Sequence, residues 1–469
     1  MPAAKSTLIG GWSMYEAEGV SSDPLHRKII LMLNYCMKGG VAELFDSFRK
    51  VVLPIATLLL LLKISYSSFD STTDSLLQNL ESSQNGSLPH DQPEQVSPGI
   101  TGTSTNYSAK TGIRQQTCNI FVGKWVPYSK GPYYTNETNC VIDDRQNCMK
   151  YGRPDSDFIH WRWKPNDCEL PLFDATQFLQ LVRGKTLAFV GDSLARNQMQ
   201  SLVCLLANAS IPVDVSETTD TRYRRWLYKD YNFTIMALWS PQLIKSYDTD
   251  PTGDPYYSLM NLYLDKADDV WASQVDKADI VIISGGQWFF RPFLYYENDQ
   301  LIGCHKCNQK NVTKHTHYYG YRMAFRTAFK TLLSMKKLKG RLVMLRPFSP
   351  AHFENGDWNN GGNCNRTRPF NNQEMKLDGY ELKMYMIQLE EFKVAEKEGR
   401  KRGSVKFKLL DTTEAMVMRP DAHPNHYGHW PHEKKLPDCV HWCMPGPVDT
   451  WNELLLATLK MEGDEFIQR

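Results

Sequence analysis

Two short segments of this chain carry the residue types that acyl transfer needs. Gly191-Asp192-Ser193 follows a short apolar run and precedes an amphipathic one, which predicts a serine at a tight turn between a strand and a helix. The amide groups at the start of such a helix can bind an oxyanion. In the second segment, Asp438-Cys439-Val440-His441, a carboxylate stands three residues before an imidazole and can orient it as the base for a serine nucleophile.

Both segments have competitors. Asp421-Ala422-His423 is another closely spaced aspartate–histidine pair, and His352 is another candidate for the base. The serine segment also has a structural interpretation, because Asp or Ser before a helix is a common N-cap. The residue types alone therefore leave the identity of the base and the role of Ser193 open.

The elements that must position these residues alternate between strands and helices. We predict short buried strands at 186–190, 280–284, 341–345 and 407–410. We predict helices near 195–207, 318–337 and 373–399. This alternation indicates an α/β fold with a mainly parallel sheet and helices on both faces. In such sheets the binding and catalytic residues gather at the carboxyl ends of the strands, where Gly191 lies.

A short apolar run near the N-terminus predicts a membrane anchor. The run covers 51–62, basic residues precede it, and acidic and Ser/Thr-rich sequence follows, so the positive-inside rule places the bulk of the chain in a lumen. We expect a cytosolic tail, a signal-anchor helix, a flexible luminal stem and a luminal catalytic domain at 1–50, 51–69, 70–116 and 117–469. Because the run is short for a membrane span, a buried core helix is the alternative.

Glycosylation motifs and cysteines agree with a luminal catalytic domain. Asn-x-Ser/Thr motifs occur only after the apolar run, at Asn85, Asn106, Asn136, Asn208, Asn232, Asn311 and Asn365. Ten of the 11 cysteines also follow it, an even number that permits disulfides in an oxidising compartment. Cys304-His305-Lys306-Cys307 can be read as half of a zinc site, but we favour disulfides. The spacing does not fix the pairs.

Composition and charge exclude several classes of protein. A chain of 469 residues is long enough for one large catalytic domain with accessory segments. The formal net charge of +2 argues against a general nucleic-acid-binding protein. The hydrophobic content of 42% excludes wholesale disorder, and the mean hydropathy of −0.46 excludes a polytopic membrane protein.

Several blocks of the sequence resemble one plant protein family. The blocks are 189–197, 438–446, 152–155 with 161–163, 349–353 with 358–364, and 419–423. Together they resemble the trichome birefringence-like family over about residues 118–455. That family is similar to SGNH/GDSL-type esterases in fold and triad, and its members are type II Golgi membrane proteins that O-acetylate cell-wall polysaccharides. The resemblance implies that Ser193 is the nucleophile, His441 the base and Asp438 the group that orients the base.

The resemblance is less definite about the oxyanion hole. SGNH esterases use a glycine and an asparagine as further oxyanion donors. Here Gly286 can supply a backbone N–H, but no asparagine stands beside it. Arg196 and Asn197, one turn after the nucleophile, are further candidates for oxyanion or substrate contacts, and each also has a structural alternative.

The resemblance also implies the reaction partners. It implies no bound cofactor or metal, an acetyl donor such as acetyl-CoA as co-substrate, a polysaccharide acceptor and the Golgi membrane as the site of anchorage. Residues 285–289, 303–307 and 352–356 resemble the branch that acts on galactose in xyloglucan side chains. The neighbouring branch acts on mannans, while xylan and pectin branches are less similar.

Three other functions remain as alternatives. The same triad would act as an esterase with water as the acceptor. A non-catalytic polysaccharide-binding protein would stack aromatic rings such as Trp161, Trp163 and Trp288 on sugars. A glycosyltransferase is suggested by the Golgi-type organisation and by Asp-x-Asp matches at 155–157 and 248–250, although such short matches arise easily by chance.

Overall fold

The structure of this chain is a computed structural model that describes residues 118–463, apart from 255, 375 and 429–435. The expected cytosolic tail, anchor and stem lie outside the described residues. Among the helices in the described part of the chain, none is both long enough and apolar enough to cross a membrane.

Strands and helices follow one another along the described residues. The strands are β1 (Gly123–Pro127), β2 (Trp161–Pro165), β3 (Thr186–Gly191), β4 (Val213–Asp214), β5 (Arg225–Tyr228), β6 (Phe233–Trp239), β7 (Ile244–Asp248), β8 (Met260–Ala267), β9 (Ile280–Ser284), β10 (Phe293–Glu297), β11 (Gln300–His305), β12 (Leu342–Leu345) and β13 (Lys406–Leu409). The α-helices are α1 (Ala175–Leu181), α2 (Ser193–Leu206), α3 (Asp269–Ala272), α4 (His317–Ser334), α5 (Gly379–Arg402), α6 (Thr413–Val417) and α7 (Asp449–Met461).

The largest sheet contains the strands that the sequence predicts. Its order is β13-β12-β9-β3-β6-β5-β4. The first five strands in this order are parallel, and β5 and β4 extend the sheet as antiparallel strands. The four predicted strands correspond to β3, β9, β12 and β13, so the prediction of a mainly parallel sheet is confirmed.

Apolar layers cover both faces of this sheet. From β3, Leu187 and Phe189 pack in the layer that contains α2 and α7. Ala188 and Val190 pack in the opposite layer, with α4 and α5. Burial of one such Val, Leu or Phe side chain stabilises the fold by roughly 1.5–3 kcal/mol. The prediction of helices on both faces is therefore confirmed, and burial on two sides explains why β3 is a continuous apolar run.

Two smaller sheets are not predicted by the sequence. One has the order β11-β10-β8-β7, and the other is the antiparallel pair of β1 and β2. In β8, the buried residues Met260, Leu262 and Leu264 alternate with more exposed ones. A strand with one apolar face has no continuous apolar run, and this short alternation is easily missed beside the stronger runs of the main sheet.

Disulfides join distant parts of the chain. In the described residues the pairs are Cys118–Cys168, Cys140–Cys204, Cys148–Cys443, Cys304–Cys307 and Cys364–Cys439. The preference for disulfides is thus confirmed, and the zinc interpretation of Cys304 and Cys307 is wrong because these two cysteines pair with each other. Two of the bridges end on either side of His441.

Candidate active site

The turn between β3 and α2 places Ser193 at the carboxyl edge of the largest sheet. Gly191 ends β3 with a φ of +148°, and a Cβ at this position would lie 1.4 Å from the carbonyl oxygen of Ser284. Only glycine therefore fits the turn. Asp192 is the N-cap of α2, since its Oδ1 accepts a hydrogen bond from the Leu194 N–H at 3.0 Å. Ser193 opens the helix and is only 8% exposed.

A serine, a histidine and an aspartate meet at this edge. His441 Nε2 lies 2.7 Å from Ser193 Oγ, although the two residues are 248 positions apart in the sequence. His441 Nδ1 lies 2.8 Å from Asp438 Oδ2. Because a carboxylate only accepts hydrogen bonds, Nδ1 carries the proton and Nε2 faces the serine hydroxyl as an acceptor. The structure thus brings together the three residues that the sequence singles out.

Local contacts keep Asp438 ionised and oriented. Its Oδ1 accepts hydrogen bonds from the backbone N–H groups of Val440, at 3.1 Å, and His441, at 3.0 Å. Burial alone would raise the pKa of Asp438, but the His441 imidazole and these N–H donors lower that pKa well below its usual range. The carboxylate therefore stays negative at neutral pH and presents its other oxygen to the imidazole.

Two disulfides and two hydrogen bonds fix the segment that carries His441. Cys439 is bound to Cys364, and Cys443 is bound to Cys148. Asn197 Oδ1 accepts a hydrogen bond from the Trp442 N–H at 2.9 Å, and Asn197 Nδ2 donates to the Trp442 carbonyl at 3.3 Å. The Asn197 amide thus holds the residue that follows the histidine, which corresponds to the structural alternative for Asn197 and not to a substrate contact.

The structure gives Gly286 a different partner from the one expected. Its N–H donates to Asp192 Oδ2 at 3.1 Å, as does the Gln287 N–H at 3.3 Å. The Gly286 amide is therefore occupied within the fold, and the expectation that it faces a substrate oxygen is not met in this structure. The Ser193 N–H, at the first helical position, has no acceptor within its own helix.

Arg196 lies one turn after Ser193 on α2. It is 9% exposed, its guanidinium carbon is 5.7 Å from the centre of the Trp239 ring, and its Nε has no hydrogen-bond partner. Burial lowers the pKa of Arg196 to about 10, and the charge of Arg145 adds to this effect. The side chain nevertheless stays charged at neutral pH, so a partly unsatisfied cation lies close to the serine.

Asp192 has a second role that the sequence does not reveal. Besides capping α2, it accepts the two N–H groups of the loop after β9. Burial raises the pKa of Asp192, and the nearby Arg346 partly opposes this shift. An aspartate before a helix indicates only a cap, and the second contact arises because β9 lies beside β3 in the sheet.

The competing histidines form their own cluster next to the triad. His352 Nδ1 lies 2.7 Å from His423 Nε2, and His352 Nε2 lies 3.0 Å from the carbonyl oxygen of Val417. His423 Nδ1 lies 2.6 Å from the carbonyl oxygen of His441. All four ring nitrogens thus have partners within the fold, and neither ring contacts Ser193. The alternatives that use His352 or His423 as the base are not supported.

The remaining aspartate motifs are engaged in ion pairs. The distance from Asp421 Oδ1 to Arg419 Nε is 2.8 Å. The distances from Asp155 Oδ2 to Arg153 Nη2 and from Asp248 Oδ2 to Arg291 Nη2 are 2.9 Å and 2.6 Å. Asp421 therefore pairs with an arginine and not with His423. Within the range that the structure describes, no group of three or more His, Cys, Asp or Glu side chains is arranged to hold a metal ion.

Two of the tryptophans considered for sugar stacking lie away from the triad. Trp163 is 1% exposed, and its Nε1 donates to the Ile120 carbonyl at 3.0 Å, so its ring is unavailable to a sugar. Trp161 lines an open surface cavity that no triad residue lines. In that cavity, burial raises the pKa of Glu453 to about 7.

A mainly parallel sheet with a serine at a strand-to-helix turn and a histidine from the C-terminal part of the chain defines a GDSL/SGNH-like α/β enzyme. Comparison with protein families agrees. Residues 170–458 match the GDSL/SGNH-like acyl-esterase family found in Pmr5 and Cas1p, and residues 116–169 match the PMR5 N-terminal domain. The chain belongs to this family, among its trichome birefringence-like members.

Curated relatives support the same assignment. Trichome birefringence-like 19 of Arabidopsis thaliana is 52% identical over 353 residues, which cover 74% of this chain and 82% of the relative. Xyloglucan O-acetyltransferase 4 of Populus trichocarpa is 45% identical, with the same coverage of 74% and 82%. Xyloglucan O-acetyltransferase 2 of Arabidopsis thaliana is 40% identical, with coverage of 73% and 83%. The predicted family is confirmed, and the chain is an acetyltransferase.

Proposed function

We propose that this chain transfers acetyl groups to a hemicellulose, at galactose residues of xyloglucan side chains, through an acetyl-Ser193 intermediate. The names of several relatives support the acceptor. The observation that carries the mechanism is the 2.7 Å contact between Ser193 Oγ and His441 Nε2. We propose an acetyl thioester such as acetyl-CoA as the donor.

The first half of the reaction loads the enzyme. Ser193 Oγ attacks the carbonyl carbon of the donor while His441 Nε2 takes the hydroxyl proton, and Asp438 stabilises the imidazolium that forms. The tetrahedral intermediate then expels the thiolate, which receives the proton from His441. Acetyl-Ser193 and a free thiol are the products of this half.

The second half transfers the acetyl group to the sugar. A hydroxyl of the acceptor attacks acetyl-Ser193 and gives its proton to His441 Nε2. As the new ester leaves, Ser193 Oγ recovers that proton, so the triad returns to its starting state with no net change in protons.

The helix start and a nearby cation would stabilise the negative charge of each intermediate. The Ser193 N–H at the N-terminus of α2 has no intrahelical acceptor, and the helix dipole favours an anion there. Arg196, buried on the next turn with an unpartnered Nε, is positioned to add a positive charge. This assignment replaces Gly286, whose N–H is bound to Asp192.

We also propose that the catalytic part lies in the Golgi lumen, with the chain anchored as a single-pass type II membrane protein. The disulfides support an oxidising compartment. The motif asparagines in the described range are all exposed, as N-glycosylation requires: Asn136, Asn208, Asn232, Asn311 and Asn365.

A polysaccharide acetylesterase is the second candidate, because the matched family is described as acyl-esterases. The same triad would then pass the acetyl group to water. Which acceptor reacts depends on acceptor binding and on the exclusion of water from acetyl-Ser193.

One experiment tests the reaction and separates the candidates. Purified protein is incubated with acetyl-CoA and xyloglucan oligosaccharides, and in parallel with acetylated oligosaccharides alone, and both are followed by mass spectrometry. We expect a mass gain of one acetyl group in the first reaction. Loss of acetyl groups in the second, without gain in the first, would favour the esterase. Mannan and xylan oligosaccharides tested alongside establish the preferred acceptor.

A further inference from the structure

Six aromatic side chains form a continuous surface cluster, which we call the aromatic platform: Trp239, Tyr256, Tyr257, Trp288, Phe290 and Trp358. Neighbouring ring centroids lie between 5.3 Å, for Tyr256 and Trp358, and 6.5 Å, for Trp288 and Phe290. The rings of Tyr256 and Trp288 are nearly parallel, with 6° between their planes. Further contacts link Trp239 to Trp288, Tyr257 to Trp358, and Phe290 to both Tyr256 and Trp358.

The platform is open to solvent where a core cluster would be closed. Tyr256 is 43% exposed and Tyr257 is 55% exposed, while the other four residues are partly exposed. Contiguous exposed aromatic surface is uncommon on a protein unless it binds something. The rings are therefore positioned to receive a ligand.

One side of the platform is tied to the nucleophile. Trp239 ends β6 directly opposite Gly191 of β3, and the Arg196 guanidinium lies over its ring. Trp288 follows Gly286 and Gln287, whose N–H groups bind the carboxylate of Asp192. Two members of the platform thus start at the same sheet edge as Ser193.

The other side of the platform is tied to the base. Trp358 lies in the loop that ends at Cys364, and the disulfide from Cys364 to Cys439 joins this loop to the segment of Asp438 and His441. The platform is therefore connected through the fold to the segment of the serine and to the segment of the histidine.

An ion pair between the buried Arg291 and the partly exposed Asp248 holds the platform in place before any ligand binds. Arg291, whose side chain is 4% exposed, lies 2.6 Å from Asp248 and also donates to the Ser258 carbonyl at 3.1 Å. This joins the loop that carries Tyr256 and Tyr257 to the segment of Trp288 and Phe290. A preformed surface loses less entropy on binding.

We propose that the aromatic platform binds sugar rings of the acceptor polysaccharide that flank the residue to be acetylated. This inference rests on the proposed function and extends it to a binding surface. A pyranose ring has apolar C–H faces and a polar rim, so it can stack on Tyr and Trp while its hydroxyls reach polar groups. Asn359 is a polar side chain next to the platform, since its Nδ2 donates to the Tyr257 hydroxyl at 2.9 Å.

The chemistry of the platform favours a neutral glycan over an anionic ligand. All six of its side chains are uncharged. An acetyl donor with phosphate groups would be recognised by cationic side chains, as phosphate sites generally are. The occupant that fits the surface is therefore the acceptor chain.

The test compares platform variants with an aromatic control elsewhere. The platform variant is the double substitution Tyr256→Ala and Tyr257→Ala, which removes only exposed rings. The control is Tyr247→Ala, a tyrosine of similar exposure, 51%, that contacts Tyr263 in the four-stranded sheet. Binding of a xyloglucan oligosaccharide is measured by calorimetry without any acetyl donor, and thermal unfolding verifies that each variant is folded.

We expect the double variant to bind the oligosaccharide about tenfold or more weakly, because buried aromatic contacts dominate binding energies. Its KM for the oligosaccharide in acetyl transfer should rise by a similar factor, with a smaller change in kcat, whereas Tyr247→Ala should match the unmodified protein. Unchanged affinity in the folded double variant would overturn the proposal, and so would an equal loss of affinity for acetyl-CoA.

The same measurements distinguish this proposal from the proposed function. If the oligosaccharide binds and the double variant weakens it, yet no acetyl group is ever transferred, the platform stands and the proposed reaction fails. If acetyl transfer proceeds with the same KM in the double variant, the reaction stands and the platform fails.

Discussion

Two clusters that contain histidine lie next to each other in this molecule: the catalytic triad, with His441, and the pair of His352 and His423. The ring nitrogens of these histidines have different partners. His441 contacts a carboxylate through one nitrogen and a hydroxyl through the other. His352 and His423 contact each other and two backbone carbonyls. Only His441 therefore has a nitrogen that can accept a proton from a reacting hydroxyl. The difference shows that the neighbours of an imidazole determine its role.

The two clusters also differ in their electrostatics. Asp438 stays ionised beside His441 because hydrogen bonds and the imidazole outweigh its burial. The other two rings lack a carboxylate partner, and burial lowers the pKa of His352 to about 4 and that of His423 well below its usual value. The His423 ring also stacks on the Trp442 ring, with 4.1 Å between the ring centroids. Burial therefore disfavours a charge on either ring. Through its contact with the His441 carbonyl, His423 supports the loop that carries the base.

The largest effect should follow from Ser193→Ala. Removal of the hydroxyl prevents formation of the acetyl-enzyme, so the transfer rate should fall by about 10⁴-fold or more. Mass spectrometry of the protein after incubation with acetyl-CoA should show no added acetyl group. Ser334→Ala, at the exposed end of α4, is the matched control and should keep full activity. Normal transfer by the Ser193 variant would rule out the mechanism.

The next prediction compares two substitutions, at Asp438 and at Asp421, the two aspartates that lie shortly before a histidine in the sequence. In Asp438→Asn the amide cannot stabilise the imidazolium, so kcat should fall by about 10³–10⁴-fold. In Asp421→Asn the buried Arg419 loses its partner, which should cost about 3–5 kcal/mol in the free energy of unfolding.

The two aspartate variants thus separate catalysis from stability. We expect kcat per folded molecule in the Asp421 variant to stay within severalfold of the original value. Urea unfolding and acetyl-transfer kinetics on both variants measure the two quantities. If the Asp421 variant lost catalysis as completely as the Asp438 variant, the assignment of the dyad would have to be reversed.

The sequence predicts the parts of this site that depend on local pattern. The apolar run before Gly191 and the amphipathic run after Ser193 identify the turn, and the spacing in 438–441 identifies the dyad. The roles of Gly286 and Asn197 could not be predicted in this way. Their partners, Asp192 and Trp442, are distant in sequence, and they meet only because of the order of the strands and the path of the C-terminal segment.

A smaller loss of rate is expected when His423, one of the two histidines that support the loop of His441, is replaced. His423→Ala removes the contact with the His441 carbonyl and the ring that packs on Trp442, so His441 should be less well positioned. We expect kcat to fall by about 10-fold to 100-fold, because small displacements of catalytic groups reduce rates strongly. The pH dependence of kcat should keep its shape, since His441 remains the base.

The conservative variant His423→Asn distinguishes positioning from packing. Its amide nitrogen can take the place of Nδ1 and donate to the His441 carbonyl, so kcat should recover in part. Kinetics of both variants across pH provide the comparison. A shift of the kinetic pKa in His423→Ala would mean that the pair takes part in proton transfer, which would contradict the separation of the two clusters.

The smallest effect concerns stability rather than rate. The pKa of His352 is about 4 in the folded protein and about 6.5 when unfolded, so the unfolded chain binds the proton more tightly. The stabilisation that neutral His352 provides is complete above pH 6.5 and is lost as the pH falls towards 4. The difference corresponds to a change on the order of 3 kcal/mol. Other groups titrate in this range, because burial raises the pKa of Glu453 and Glu381 to about 7, and these carboxyl groups act in the opposite direction.

A matched variant isolates the histidine from these carboxyl groups. In His352→Gln the amide nitrogen can still donate to the Val417 carbonyl, but the side chain does not titrate. The free energy of unfolding, measured with urea between pH 4.5 and 7, should therefore rise more steeply with pH in the original protein than in the variant. Parallel curves would mean that the pKa of His352 is the same in the folded and the unfolded chain. The contrast between this pair and the triad would then be one of geometry alone.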